Sequence, residues 1–457
     1  MGIDSKIFSE GRISKVLWKF ALPAIVSLLV AELYNMVDTF FVGRYVGANA
    51  IGALTIAFPI QRLLSSIAML ISIGTSTAVA RYLGEKNYDD LKKTINSALI
   101  LTLILLVGVP ILIYGSLETI LKAMGASSTI YPLAKEYVSI ILLGGIFQGL
   151  TFVMCFIMNS LGNTKITLYA NSLGAAINMV IDFALVGGLS MGVKGAAIAT
   201  VVSQGIAFIF SLYRFLKVKE QIHFKISLNI HINIAKTIIA VGFSTFVIEI
   251  SDAVVAVLLN NILSGKGGDP AIIIVGIITK VSMFMYIAVL GIASAMQPIV
   301  AFNYGARNFK RMKETVRVAI RSSFIASILM WVVMMGFARP IIGSFLMEKY
   351  LLDEAVRAFR ICISVFPIIG LYYIAMYYYQ SIGEAKMSFL LSIYRQIVIF
   401  IPMVLLFVSL WSVDGAWFTY PVTDIIAAVT GVIYIRKANR DIEESISFRE
   451  LKNTIRI

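Results

Sequence analysis

RYLGEKNYDDLKKT at residues 81–94 returns as FNYGARNFKRMKET at 302–315. Gly84, Asn87 and Thr94 fall on Gly305, Asn308 and Thr315, each 221 residues later. NSLGNTK (159–165) returns at the same offset as QSIGEAK (380–386), with Gly162 on Gly383 and Lys165 on Lys386. VKGA (193–196) returns as VDGA (413–416), at an offset of 220. Three separated segments in nearly one register mean that the chain is a duplication, with each half folding to the same plan.

The composition says what solvent that plan meets. Hydrophobic residues make up 59% of 457 positions and charged residues only 14%, against roughly a quarter charged in soluble domains. A hydrocarbon core needs about 20 consecutive apolar residues per helical crossing. Such runs are read at 16–42, 51–79, 94–115, 136–160, 167–187 and 195–215, then at 236–262, 271–300, 316–338, 360–381, 387–410 and 416–435. All are expected to be helical. Open strands leave backbone groups unpaired in lipid, and barrel strands alternate apolar with polar, which these runs do not. Each repeat holds six crossings, an even number, so both halves insert in the same orientation about an axis along the membrane normal.

Net charge is +14, but the basic residues sit in short loops and do not form a nucleic-acid face. With the N-terminus inside, 22 Lys and Arg fall in inner segments and 8 in outer ones, the bias of cytoplasmic loops. Both termini are therefore expected in the cytoplasm. Residues 1–215 are expected to form an N-terminal lobe, 216–235 a cytoplasmic linker, 236–435 a C-terminal lobe and 436–457 a cytoplasmic tail. The basic stretch 213–234 holds both histidines, His223 and His231. It reads as a linker lying on anionic lipid or as a pH sensor. Trp18, Trp411 and Trp417 lie near span ends, where indoles favour the interface. Cys155 and Cys362 fall inside apolar runs, and no disulfide or metal framework is inferred from them. The charged start MGIDSKIFSEGRISKVLWKF leads into an apolar run too long for a signal peptide, so no cleaved leader is expected.

Carboxylates inside spans cost about 2.5–3.5 kcal/mol or more unless paired, hydrated or protonated, so each needs a reason. Glu32 and Asp38 lie in the first span, Asp182 in the fifth, Glu249 and Asp252 in the seventh and Asp424 in the twelfth; Arg62, Lys280 and Arg395 are basic residues within spans. Asn178 and Asp182 are four apart and share a helix face. A carboxylate beside an amide oxygen suits a sodium ion or a shuttled proton, and the Thr200 hydroxyl in the sixth span can join it. A hydrogen-bonded knot without an ion is the plainer alternative. Pro23 removes a backbone donor in the first span and favours a kink. Asp38 is then a titratable acid on a bendable helix, or a partner for Arg44. Glu249 and Asp252 share a face and either attract cations or pair with Lys280. At offset 221 Asn178 falls on Ile399, Asp182 on Met403 and Asp38 on Leu259. The first-half polar cluster has no counterpart in the second, so ion coupling is expected in the N-terminal half. LYYIAMYYYQ (371–380) is either ordinary packing or a pliable aromatic surface for flat cations.

No G-x-x-x-x-G-K-[ST] phosphate loop is present, which argues against a built-in ATP motor. Neither D-x-x-x-D nor D-D-x-x-D occurs, which argues against an intramembrane prenyltransferase. No cofactor is expected, and the chain does not read as an enzyme.

VDTFFVGR after a proline-containing first span, RYLGEKNYDDLKKT after the second, NSLGNTK after the fourth and N-x-x-x-D in the fifth together resemble the MATE (multidrug and toxic compound extrusion) family, over essentially the whole chain. The resemblance is greatest to its prokaryotic DinF- or MepA-like branches. It implies an all-α membrane protein of twelve helices in two pseudo-symmetric six-helix lobes around a central cavity, exporting cationic amphiphilic compounds in exchange for H+ or Na+ by alternating access. It implies ion-coupling roles for Asp38, Asn178, Asp182, Thr200 and Tyr137, and a hinge at Pro23. Glu249 matches an acid that some branches use in the second lobe. The tenth span lacks the acid those branches carry, which again favours the first lobe; Glu249, Asp252 and Glu32 remain candidate cavity charges. The expected partners are small cationic or amphiphilic substrates and membrane lipids, with a monomeric protein in a prokaryotic plasma membrane. The alternative within the wider superfamily is a lipid-linked oligosaccharide flippase, which favours a strongly cationic cavity; the candidates here are mainly acidic.

Overall fold

A chain solvated by hydrocarbon pairs its backbone within each segment, and the computed structural model is helical wherever it is regular. It describes residues 6–221, 224, 225, 227, 229–344 and 349–455; side chains are described for these except at 34–39, 48, 221, 269, 349, 350, 442 and 445–455. The membrane helices are α1 (Ile13–Tyr45), α2 (Ala48–Glu85), α3 (Tyr88–Gly115), α4 (Tyr131–Ser160), α5 (Ile166–Asp182) and α6 (Gly192–Gln221). There follow α7 (Ile232–Gly268), α8 (Pro270–Gly305), α9 (Phe309–Gly336), α10 (Lys349–Cys362 with Gly370–Ile382), α11 (Ala385–Trp411) and α12 (Val413–Ile455). Among the described residues eleven helices are long and apolar enough to cross a membrane, and twelve when the bent α10 pair counts as one span.

The duplication is written in local chemistry. Asn87 and Asn308 cap α3 and α9, each side chain accepting from a backbone N–H at 3.1 Å, that of Asp90 and that of Arg311. A side-chain oxygen there satisfies one of the unpaired N–H groups of a helix start. The preceding residues, Lys86 and Arg307, both take the left-handed conformation, at φ 58° and 57°. Thr94 and Thr315 donate to the carbonyls of Asp90 and Arg311 at 2.7 and 2.8 Å. Gly162 and Gly383 close α4 and α10 at φ 98° and 81°, which a residue with a Cβ rarely adopts.

The chain groups into two compact units. One is built from Leu22–Ile250 with Met1–Glu10, the other from Ser251–Ile457 with Gly11–Ala21. The division falls one residue before Pro23 in α1, and between Glu249 and Asp252 in α7. In the first unit α2 and α7 cross at bare backbone. A Cβ on Gly74 would lie 2.0 Å from the Ile238 carbonyl oxygen, and one on Gly242 would lie 1.8 Å from that of Leu70. Small residues permit such approach where lipid supplies no hydrophobic drive between helices.

Three expectations change. The single tenth span read at 360–381 is two helices, with Leu351–Ile368 and Gly370–Ile382 meeting at 50°. Pro367, in the tight turn Phe366–Ile368, has no N–H to continue the ladder. Trp417 is fully buried while Trp411 is 53% exposed, so Trp417 is a packing residue and not an interface anchor. The stretch 213–234 is helical as far as Gln221, and its later part is pinned to α3: Asn96 donates to Asn229 O at 2.8 Å and accepts from Ser227 N–H at 2.9 Å, while Ser97 accepts from His231 N–H at 3.1 Å. His231 is exposed, and His223 lies outside the described residues.

Gly74→Ala and Gly242→Ala are each expected to cost about 1–3 kcal/mol through overpacking, read as a lower unfolding temperature in detergent. Gly108→Ala in α3, where a Cβ meets nothing within 4 Å, is expected to be neutral or stabilising.

Candidate functional site

In the first unit α5 buries two polar residues one turn apart. Asn178 is 1% exposed and Asp182, one turn on, is fully buried. Asp182 is the last residue before the backbone widens into a π turn, Phe183–Gly188; such turns loosen the ladder and often mark functional positions. Thr200, on α6, is 2% exposed. Neither atom of the Asn178 amide nor the Thr200 hydroxyl has a hydrogen-bond partner among the described residues. Buried polar groups are nearly always satisfied, so orphans of this kind ask for a water or an ion.

A cavity of about 110 Å³ opens at Thr200, lined also by Gln204 of α6, by Gln61, Arg62 and Ser65 of α2 and by Gln148 of α4, among others. Gln61 donates to the Tyr137 hydroxyl at 3.2 Å, and Ser65 to Gln148 at 3.3 Å. Gly144 of α4 makes room for Gln204, whose Oε1 lies 2.3 Å from where a Cβ would stand. The volume holds a few waters or a hydrated ion. It lies below the roughly 300 Å³ at which drug-sized pockets begin.

The structure thus brings Tyr137 (through Gln61) and Thr200 to one cavity, with Asn178 and Asp182 on the α5 segment packed against α6. Asp38 falls among side chains outside the described residues, as does any pairing with Arg44 through it. Pro23 is buried within a continuous α1. One turn beyond it, Ser27 accepts from the α5 residue Asn171 at 2.7 Å, which ties the segment after the proline to the helix bearing Asp182.

The other acids separate. Glu249 pairs with Arg62 at 2.5 Å; Lys280 belongs to the second unit and is exposed. Glu32 feels both Arg62 and Glu249, so one guanidinium stands among two carboxylates at the edge of the cavity. Asp252, three residues beyond Glu249, belongs to the second unit and accepts a hydrogen bond from Gln396 there. The shared face read from the sequence holds, but the two acids serve different units.

Three tyrosines of the aromatic stretch of α10 are packing residues, while Tyr373 and Tyr377 are half-buried. Tyr372, Tyr378 and Tyr379 are at most 4% exposed. Tyr378 donates to Asn439 and Tyr379 to the Tyr434 carbonyl, both at 3.0 Å. Tyr372 has a further role. Its hydroxyl donates to the Leu391 carbonyl and accepts from the Arg395 N–H at 3.2 Å, two groups that would bond each other in a regular α-helix. Inserting there, it opens α11 into a π turn over Tyr394–Phe400.

The second unit also holds a buried ion pair to which the sequence reading gave no role. Arg395 reaches Asp424 of α12 through Nε at 3.0 Å and a terminal nitrogen at 2.7 Å, and that nitrogen also donates to the Tyr286 hydroxyl of α8 at 3.0 Å. The side chains are 6% and 3% exposed. Opposite charges 29 residues apart in two apolar spans were the available signal, without a contact to join them.

Comparison with known proteins places this geometry. The family model described as MatE matches residues 23–184 and 241–406. The multidrug export protein MepA of Staphylococcus saprophyticus is 23% identical over 432 residues, covering 94% of each chain. An outward-facing multidrug resistance MATE family transporter of the MOP superfamily superposes with a TM-score of 0.91 at 24% identity, covering 97% of this chain and all of that one. A MOP superfamily transporter from Pyrococcus furiosus, described as having a binding pocket of reverse polarity, gives 0.90 at 24% identity over 96% and 98% of the two chains.

Thr200→Val and Asn178→Leu replace orphaned polar atoms by apolar ones of similar shape. Each is expected to leave the unfolding temperature unchanged or raise it, since up to about 1–3 kcal/mol of uncompensated desolvation is removed. Any stable variant of this kind that also loses transport identifies the position as functional and not structural.

Proposed function

The chain belongs to the MatE family, and from that premise we propose that it is a multidrug efflux antiporter, exporting cationic amphiphilic compounds by alternating access in exchange for H+ or Na+. It is a multi-pass membrane transporter and not an enzyme. The proposal extends to a monomer in the plasma membrane with both termini in the cytoplasm, its N-terminal lobe carrying the coupling ion. The name of the MepA relative and the mainly acidic charge around Arg62 support the substrate class. The observation that carries the coupling site is the buried pair Asn178 and Asp182 on a helix packed against α6, with an orphaned Asn178 amide and an orphaned Thr200 hydroxyl, the latter at a water-sized cavity.

The ion binds among Asp38, Asn178, Asp182 and Thr200, with Tyr137 held at the cavity by Gln61. Its arrival neutralises charge and is felt by α1, because α1 is tied to α5 at Ser27 just past Pro23. The passage of α1 from one compact unit to the other beside that proline supports a hinge there: with no N–H at Pro23, the helix bends at small cost. Glu249, paired with Arg62, and Glu32 near them place acidic groups where a cationic substrate can be drawn.

Energetics constrain the exchange. One charge crossing about 100 mV supplies about 2.3 kcal/mol, roughly a fifty-fold concentration ratio. A one-for-one swap of H+ or Na+ for a monovalent drug moves no net charge and draws only on the chemical gradient.

In proteoliposomes with pH and sodium gradients imposed separately, ethidium transport is expected to follow one of the two. The gradient-driven component is expected to fall to background in Asp38→Asn and in Asp182→Asn. Transport indifferent to both gradients and both substitutions would sink the coupling site. Folded protein that moves no ethidium under any gradient would count against the substrate class.

A further inference from the structure

The two halves place charged or polar groups on the same pair of helices, the fifth and sixth of each repeat. In the first half these are Asn178 and Asp182 on α5 and Thr200 on α6. In the second they are Arg395 on α11 and Asp424 on α12. By the 221-residue offset Arg395 corresponds to Gly174, and by the 220-residue offset of the VKGA and VDGA segments Asp424 corresponds to Gln204, within about one helical turn of Asn178 and Thr200. Each half thus buries an acid on this helix pair, Asp182 on α5 in the first and Asp424 on α12 in the second. In the first half the neighbours are an amide and a hydroxyl whose atoms lack partners among the described residues. In the second the neighbour is a guanidinium.

That guanidinium is fixed from every side. Two of its nitrogens reach one oxygen of Asp424, and one of them also holds the Tyr286 hydroxyl. Its backbone is set by the Tyr372 hydroxyl inserted between Leu391 and Arg395. Groups from α8 and α12 therefore hold the cation, and a group from α10 holds the backbone that carries it. A guanidinium stays protonated at any physiological pH, and a charge this buried leaves its partner only at a large cost. A carboxylate so compensated carries no net charge to draw a mobile cation.

We propose that Arg395 is a tethered counter-ion filling a monovalent-cation site on Asp424, so that the second half of the chain binds no exchangeable ion and coupling is confined to the first. The confinement rests on the N-terminal coupling reading; the latent site on Asp424 stands without it. Taking away the tethered charge exposes a buried carboxylate beside a tyrosine hydroxyl, oxygen ligands that suit a sodium ion.

The test measures the unfolding temperature of the purified full-length protein in about 100 mM sodium chloride against the same concentration of choline chloride. It is run in an Asp182→Asn background to silence the first site. Asp182→Asn alone is expected to show no sodium-dependent rise. Adding Arg395→Met is expected to create a saturable rise of several degrees, as for any ligand that binds only the folded state. Arg395→Lys, which keeps a tethered cation, is expected to show none, and the rise is expected to vanish in Arg395→Met with Asp424→Leu. Should Arg395→Met not survive purification, Arg395→Gln is read in the same way. Folded charge-removed protein with no sodium response overturns the proposal. A sodium response in Asp182→Asn alone that Asp424→Asn removes overturns it too, because Arg395 then does not exclude the ion. A response in Asp182→Asn alone that Asp424→Asn leaves intact counts instead against the N-terminal coupling site.

Discussion

A charge placed in hydrocarbon has to be neutralised where it stands, and this molecule uses two means. Arg395 answers Asp424, and Arg62 answers Glu249 with Glu32 nearby. Around Asn178 and Thr200 the answer is incomplete: polar atoms are buried, and a small cavity stands where a partner is wanted. In a low dielectric an unsatisfied group is the costlier of the two, and its persistence in the first half is what supports the coupling site proposed there.

The same economy governs the backbone. Helices satisfy themselves, so they approach one another through small residues, as Gly74 and Gly242 do against the carbonyls of Ile238 and Leu70. Where the ladder is broken, a specific group takes over. The Tyr372 hydroxyl stands between Leu391 and Arg395. Pro367 has no N–H to give, and α10 turns there. The π turn after Asp182 is the equivalent irregularity in the first half, beside the acid assigned to coupling.

The two repeats have diverged in chemistry while keeping their frame. Asn87 with Asn308, Thr94 with Thr315 and Gly162 with Gly383 still perform the same local task at each helix end. Helix ends tolerate no substitute that cannot cap or turn. Interior positions tolerate any set of groups that balances its own charge, and there the halves differ: an acid with amide and hydroxyl in one, an acid with arginine in the other.

The sequence by itself determined the membrane solvent, the twelve helical crossings and the duplication, because these follow from run length, apolar content and spacing along the chain. It also singled out Asn178, Asp182 and Thr200, since a polar residue in an apolar run announces itself. It could not say that Glu249 meets Arg62, that Trp417 is core, that Tyr372, Tyr378 and Tyr379 of α10 are packing, or that Arg395 and Asp424 touch. Those are facts of helix rotation and contact between segments dozens or hundreds of residues apart. Hydropathy is an average over a window and carries no information on azimuth. Only packed helices decide which face of each one meets which partner.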